Sequence, residues 1–305
     1  MNPHALHNRV GARKHAERIF EVLVRNGIQA DVCNVPDLQL VRRRVRAAVS
    51  AGSPLIIAAG GDGTIEAVAP ALVHTPTVLG IIPLGTYNNL AACLAIPTDL
   101  ESACELVATG VQKQIDVGEV RCRGNRRRSF FLEQASIGLA PLLAPVGEGL
   151  QKGHWLDALR TLPAALRLEP VPMRIRLDDE LSTAETLLVT ISNTPRSAAA
   201  LVLAPDARMD DGQLDVCVYD GLHQAQLASM LFEFVSSGVK NHAGVRRSLA
   251  SSIEVSSTTS HRLLVAADAE VIGETPARFV ILPAALRVMA PPGDSACPGR
   301  TMALR

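Results

Sequence analysis

Between Leu55 and Ala91 the chain runs through two short apolar segments, Leu55–Ala59 and Val78–Pro83, and each empties into a polar, glycine-bearing turn. The turns read Gly60-Gly61-Asp62-Gly63-Thr64 and Pro83-Leu84-Gly85-Thr86-Tyr87-Asn88-Asn89. Short apolar runs that close on glycine and give way to helix-like segments mark strands of a parallel α/β sheet. In such sheets ligands bind beyond the carboxyl ends of the strands. Two neighbouring strands ending in glycine turns therefore define one candidate site.

The flanking sequence fits that frame. Arg9–Asn26 has helical periodicity, with Ala16, Ile19, Phe20 and Leu23 on one face and Gly27 placed to close it. Ile28–Val35 reads as a strand, and Asp37 as the N-cap of a basic helix, Leu38–Ala51, that closes at Gly52. Thr64 starts the next helix; Asn88–Leu94 and Leu100–Ala108 are also helical, the latter capped by Asp99 and ended by Gly110. Strands alternating with helices predict a parallel, right-handed βαβ sheet. Only Met1 precedes Asn2-Pro3 where such a sheet normally opens with an apolar strand, so the expectation is either a start placed late or a fold that has lost that strand.

After Val111 the texture changes. Gln114–Arg121 and Ser129–Gly138 read as a hairpin around the basic turn Arg123–Arg128, and His154–Leu168 as a helical stretch. Alternating runs follow at Met173–Leu177, Glu185–Ser192, Gln213–Tyr219, Ser252–Val255, Leu263–Ala267, Arg278–Leu282 and Leu286–Ala290. Many short strands separated by turn residues predict an antiparallel sandwich or barrel. The expected organisation is α/β plus all-β: a parallel α/β nucleotide-binding domain over 1–118, then an antiparallel β-sandwich-like domain over 119–305. The last roughly 20 residues are a Pro- and Gly-rich end that could return to the first domain.

Charge excludes some functions. Lys+Arg and Asp+Glu both number 30, so no net field argues for nucleic acid. Six cysteines at 33, 93, 104, 122, 217 and 297 include no Cys-x-x-Cys pair and have no histidine at metal spacing, as expected for reduced thiols of a cytosolic protein. The charged start and the lack of a spanning apolar run predict a soluble, cytoplasmic chain that touches a membrane only peripherally.

The first turn is neither a Walker A loop, lacking Lys-Ser/Thr after its last glycine, nor G-x-G-x-x-G, because Glu66 stands where the third glycine belongs. Its chemistry still suits phosphate. Glycines let backbone N–H groups come close to phosphate oxygens, and Thr64 can cap the helix or donate to one of those oxygens. Asp62 beside phosphate makes sense with a cation between them, and Mg²⁺ takes such oxygen ligands. The alternative is a tight strand–helix turn with an ordinary turn aspartate; the second glycine turn, Gly85-Thr86-Tyr87-Asn88, favours phosphate.

Gly60–Thr64 followed by Pro83-Leu84-Gly85-Thr86-x-Asn88 resembles the catalytic domain of the diacylglycerol kinase and sphingosine kinase superfamily, specifically its bacterial YegS/BmrU-like lipid kinases. The resemblance continues through Ile115–Gly118, Phe130-Phe131, Ser136–Gly138, Ala204–Ala207, Asp211–Asp215, Asp268-x-Glu270, Thr275-Pro276 and Ile281–Leu286. It implies ATP-dependent phosphorylation of a lipid hydroxyl, such as that of diacylglycerol, in the cleft between the two domains. By position, Gly60, Gly61, Asp62, Gly63, Thr64, Gly85, Thr86 and Asn88 would hold ATP, and Asp62 would reach Mg²⁺ through water. Asp268 would be the base for the acceptor hydroxyl, with Glu270 toward the nucleotide. Asp211, with the carbonyls of Arg208 and Gln213, would match a structural Mg²⁺ site, and Asp116 an acidic network linked to it.

Several positions depart from the family pattern: Ala269 within Asp268-x-Glu270, Glu66-Ala67 after the first turn, Asn89 in the second, Ala198–Ala200, and Val35. Two alternatives therefore stay open. One is an NAD kinase-like nucleotide kinase, which shares the GGDGT turn; the other is a catalytically impaired nucleotide- or lipid-binding homologue. The expected partner is a membrane lipid at the inner membrane face, without nucleic acid, and a homodimer is left open. Arg121–Arg128 reads as a solvated hairpin tip or a contact with anionic headgroups.

Overall fold

A computed structural model describes residues 9–33, 37–125, 128–139, 169–197, 201–202, 204–221, 245–268 and 270–293. The chain divides into two compact units, Met1–Val117 with Pro283–Arg305, and Gly118–Leu282.

In the first unit, helix α1 (Arg9–Arg25) ends at Gly27, whose φ of 79° lets the Ile28 N–H turn back to the Leu23 carbonyl at 2.9 Å. Helix α2 (Leu38–Ser50) is capped by the Asp37 carboxylate, which accepts the Gln39 N–H. Strand β1 (Leu55–Gly60), helix α3 (Asp62–Val68), a 3₁₀ turn (Ala69–Ala71) and strand β2 (Val78–Pro83) follow. After them come α4 (Asn89–Cys93) and α5 (Leu100–Thr109), the latter capped by Asp99. β1 and β2 run parallel, and all of β2 is buried. Ile19, Val22 and Leu23 of α1 pack with Ala103, Cys104 and Val107 of α5 over Ala59 and Ile82.

The strand expected at Ile28–Val35 does not form over its described part, Ile28–Cys33. Among the described residues β1 ends the strand order, with β2 beside it, and this segment does not pair with its open edge. Its residues pack as a loop instead, with Ile28 and Ala30 against the core.

The remaining strands are β3 (Val111–Arg123), β4 (Ser129–Phe131), β5 (Gln134–Gly138), β6 (Val171–Leu177), β7 (Glu180–Ser192), β8 (Arg196–Ser197), β9 (Leu201–Val202), β10 (Leu214–Asp220), β11 (Val245–Ala250), β12 (Ser252–Ser257), β13 (Leu264–Ala267) and β14 (Glu270–Ala290). In the second unit β7, β5, β13, β14, β12 and β6 pair antiparallel in a closed circuit, and β10 and β11 extend it beside β7. Long strands make the circuit possible. The first part of β7 pairs with β6 and its last part with β5, and the buried Thr186 at the change-over donates its hydroxyl to the Tyr219 carbonyl at 2.8 Å. The enclosed core is aliphatic around Phe131 and Phe279, whose rings meet edge to face at 6.5 Å. Gly118 is obligatory here, because a Cβ would enter the Phe131 ring.

The antiparallel, sandwich-like second half takes the expected form, with three differences. The segment Ser129–Gly138 is broken at Leu132-Glu133 into β4, which pairs with β3, and β5, which pairs with β7 and β13. Arg278–Leu282 and Leu286–Ala290 belong to one strand, β14, which passes Ala284 at φ 51° and ends parallel to β2. β11 was not foreseen, because Val-Arg-Arg-Ser-Leu-Ala carries exposed arginines where an alternating strand would carry apolar residues. The helix expected over His154–Leu168, together with Val35 and Ala198–Ala200, lies outside the described residues.

Candidate functional site

β1 and β2 pair in register from Leu55↔Val78 to Gly60↔Pro83, so both strands stop at one level. The Leu84 N–H donates to the Gly60 carbonyl at 2.9 Å, carrying the pairing one step into the turns. Beyond it the turns touch backbone to backbone. A Cβ on Gly61 would lie 3.0 Å from Gly85 Cα, and a Cβ on Gly85 would lie 2.5 Å from Gly61 Cα and 2.8 Å from Asn88 Oδ1. Neither glycine has a positive φ, so close approach and not backbone conformation demands glycine here. Gly60 is closed in by the Thr64 side chain, whereas Gly63 is exposed with open space around it.

Polar side chains then lock the two turns together. Asp62 Oδ2 accepts the Asn88 N–H at 3.0 Å across the turns. Asn88 sits at φ 50°, ψ 47°, a left-handed conformation that asparagine tolerates. Its amide accepts the Gly85 N–H and donates to the Gly85 carbonyl, both at 2.9 Å, which closes the second turn on itself. Thr64 lies in the first turn of α3 and is buried; the helix begins at Asp62 with Gly61 as N-cap, so Thr64 does not cap it as expected. Asp62 is the electrostatic centre of the pair. Its Oδ1 is buried with no hydrogen-bond partner, and burial pushes its pKa up, against the pull of the neighbouring backbone N–H groups.

In the second unit Asp268 ends β13 at φ 48°. Its Oδ2 accepts the Leu132 N–H at 3.0 Å, and its Oδ1 accepts the N–H groups of Glu133 and Gln134 at 3.0 and 3.1 Å. The Asp268 N–H returns a bond to the Gln134 carbonyl at 2.7 Å. The break between β4 and β5 is therefore what orients the carboxylate. The same break is held from its other side by the fully buried Asn193, which donates its side-chain amide to the Leu132 carbonyl and its N–H to the Glu133 carbonyl. Asn193 was missed in the sequence; the polar run Ser192-Asn193-Thr194 closing an apolar strand was its one signal. Glu270 is exposed at the start of β14.

Asp116 and Asp211 serve local structure. In the first unit the buried Asp116 accepts the Ala284 N–H at 2.7 Å, fastening the left-handed kink of β14. In the second, Asp211 accepts the Gln213 N–H at 3.0 Å, and the Arg208 guanidinium pairs with Asp210 at 3.1 Å. The carboxylates of Asp206 and Asp211 add to burial in pushing the Asp215 pKa up to about 6. Ionised Asp215 thus works against the fold. A raised carboxyl pKa gives stability that is full below the unfolded value of 3.8 and lost as pH rises through about 6. Asp215→Asn should therefore raise the unfolding free energy at pH 7.5 by about 1 kcal/mol after discounting for solvent screening, with the gain vanishing below pH ~4. Paired denaturation curves at the two pH values check it.

The residues fit the groups expected of them to different degrees. The touching glycine turns leave Gly63 and Thr86 exposed at a surface where phosphate oxygens could approach the backbone. The orphaned, buried oxygen of Asp62 is a hard donor of the kind Mg²⁺ takes. Among the described residues no three His, Cys, Asp or Glu side chains converge as a metal cluster, so a cation at Asp211 would rest largely on carbonyl and water oxygens. No helix among the described residues is long and apolar enough to cross a membrane.

Comparison with known proteins agrees with this architecture. Residues 1–120 match the family described as the diacylglycerol kinase catalytic domain, and residues 152–290 match the YegS C-terminal NAD kinase β-sandwich-like domain. A diacylglycerol kinase of Staphylococcus saprophyticus is 30% identical over 245 residues, which cover 78% of this chain and 77% of that one. A Staphylococcus epidermidis diacylglycerol kinase is 28% identical over the same length. The crystal structure of a diacylglycerol kinase from Bacillus anthracis superposes with a TM-score of 0.72 at 20% identity over 95% of each chain; a second structure from that organism reaches 0.77 at 22%. At those identities the structures speak for the fold alone. The fold and the paired sequence matches define a lipid kinase, a phosphotransferase acting on lipid. The chain belongs to the diacylglycerol kinase family, among its bacterial YegS-like members.

Proposed function

We propose that this protein transfers the γ-phosphate of ATP to a hydroxyl of a membrane lipid such as diacylglycerol, with Mg²⁺ as the metal. The observation that carries the reading is the joined pair of glycine turns around the orphaned Asp62 oxygen, in a chain of this family. The first unit, a parallel α/β nucleotide domain, binds the triphosphate on Gly60–Thr64 and Gly85-Thr86, with Asn88 holding the second turn closed. Mg²⁺ would be held at Asp62 and would offset phosphate charge. The second unit supplies Asp268, whose carboxylate is oriented by three backbone N–H groups to take the proton of the acceptor hydroxyl. The acceptor oxygen forms its bond to the γ-phosphorus as the bond to the ADP oxygen breaks. Glu270, two residues on and exposed, would contribute to nucleotide binding.

A second Mg²⁺ on Asp211 and the Arg208 and Gln213 carbonyls would cancel repulsion among Asp206, Asp211 and Asp215. Added Mg²⁺ should then shrink the stability gain of Asp215→Asn at pH 7.5, and an unchanged gain would remove that site. Activity is tested with labelled ATP, Mg²⁺ and mixed micelles carrying diacylglycerol, a sphingoid base or phosphatidylglycerol. NADP formation from NAD would overturn the lipid reading.

A further inference from the structure

One face of the second unit is built for charge, and the kinase reading makes no use of it. On β12 and β14, Ile253, Val255, Ala277, Phe279 and Ile281 point into the core, so the alternate residues point outward. Outward positions pair across the strands as Arg176↔Glu254↔Arg278. Glu254 lies 3.8 Å from Arg176 and 3.6 Å from Arg278. A second ladder stands on β3 and its hairpin, where Glu119 lies 2.9 Å from Arg121 and 3.4 Å from Arg128. Each ladder holds two arginines around one glutamate, so each carries one uncompensated positive charge. Arg174 is exposed at the next outward position of β6.

Between the ladders runs a groove of about 260 Å³, with Val280 and Leu282 as its apolar floor and Glu119, Arg121 and Arg278 at its rim. The rim arginines are mostly exposed, at 63% and 58%. Exposed guanidinium groups at the rim of an apolar floor match an anionic headgroup that carries an acyl chain. Nucleic acid would match the charge and not the floor, and among the described residues this face offers it no exposed aromatic side chain for stacking a base. We propose that this face docks the protein onto anionic lipid bilayers. The inference rests on the lipid-kinase reading for its purpose and on the face itself for its chemistry.

The test is flotation of the full chain with phosphatidylglycerol-containing vesicles, against pure phosphatidylcholine and against short single-stranded RNA. A basic residue near an anionic surface contributes about fivefold in partitioning, so Arg121→Ala with Arg278→Ala should weaken binding about ten- to thirtyfold. Each glutamate keeps one arginine in that variant, which protects the fold; an unchanged unfolding midpoint checks this. Binding should also fall in about 0.5 M salt, where the Debye length shortens to a few ångströms. If the kinase reading also holds, the double variant keeps its activity on detergent-dispersed diacylglycerol and loses it on vesicles. A chain that binds vesicles and phosphorylates nothing would reject the kinase reading and keep this one. Equal binding to neutral vesicles, no loss in the double variant, or preference for RNA would overturn it.

Discussion

Replacing Asp268 with Asn is expected to lower phosphoryl transfer by about 10²–10⁴-fold while ATP still binds. The substitution removes the proton acceptor and keeps the shape. Its structural cost is readable from the same geometry. Three N–H groups, of Leu132, Glu133 and Gln134, all point at the carboxylate, and an amide must turn its NH₂ toward at least one of them. One donor facing another costs about 1–3 kcal/mol, so the unfolding midpoint should fall modestly. Circular dichroism and nucleotide titration separate the two effects. Turnover that survives the change would remove Asp268 as the base.

The glycines give the second large effect, because structure separates their roles. Gly85→Ala puts a Cβ 2.5 Å from Gly61 Cα, which forces the turns apart. Overpacking of this kind costs about 1–3 kcal/mol, and the separated turns should lose ATP affinity more than tenfold. Gly63→Ala meets nothing within 4 Å, so stability should be unchanged. If triphosphate lies on the exposed backbone there, Gly63→Ala still weakens ATP binding. Thermal unfolding beside equilibrium dialysis of ATP checks both; a Gly63→Ala protein with normal affinity would move the nucleotide off this turn.

Much of this was legible in the sequence because local physics decided it. Asp37 and Asp99 cap the helices that their spacing announced, and Gly27 turns the chain out of α1. Pairing of the two glycine turns followed from two successive apolar runs that each end in a glycine turn. What could not be read depends on distant partners. Ile28–Cys33 has strand-like composition but pairs with no described strand. Leu132-Glu133 looks like the middle of a strand, and only the Asp268 carboxylate, 135 residues from Glu133, explains why its N–H groups leave the ladder. The Thr64 side chain closes in Gly60 and the Asn88 amide clips Gly85, contacts that no local pattern of the sequence announces. The basic run Arg121–Arg128 was visible in the sequence, but its joining with Glu254 and Arg278 around one groove was not, because those residues meet only once the sheet is assembled.

The most direct measurement is transfer of label from γ-labelled ATP, with Mg²⁺, to a panel of lipids in mixed micelles. The account predicts label in a hydroxyl-bearing lipid, with diacylglycerol the first expected acceptor, and transfer at least about a hundredfold slower with Asp268→Asn. Nucleotide that binds while label reaches no lipid would contradict it.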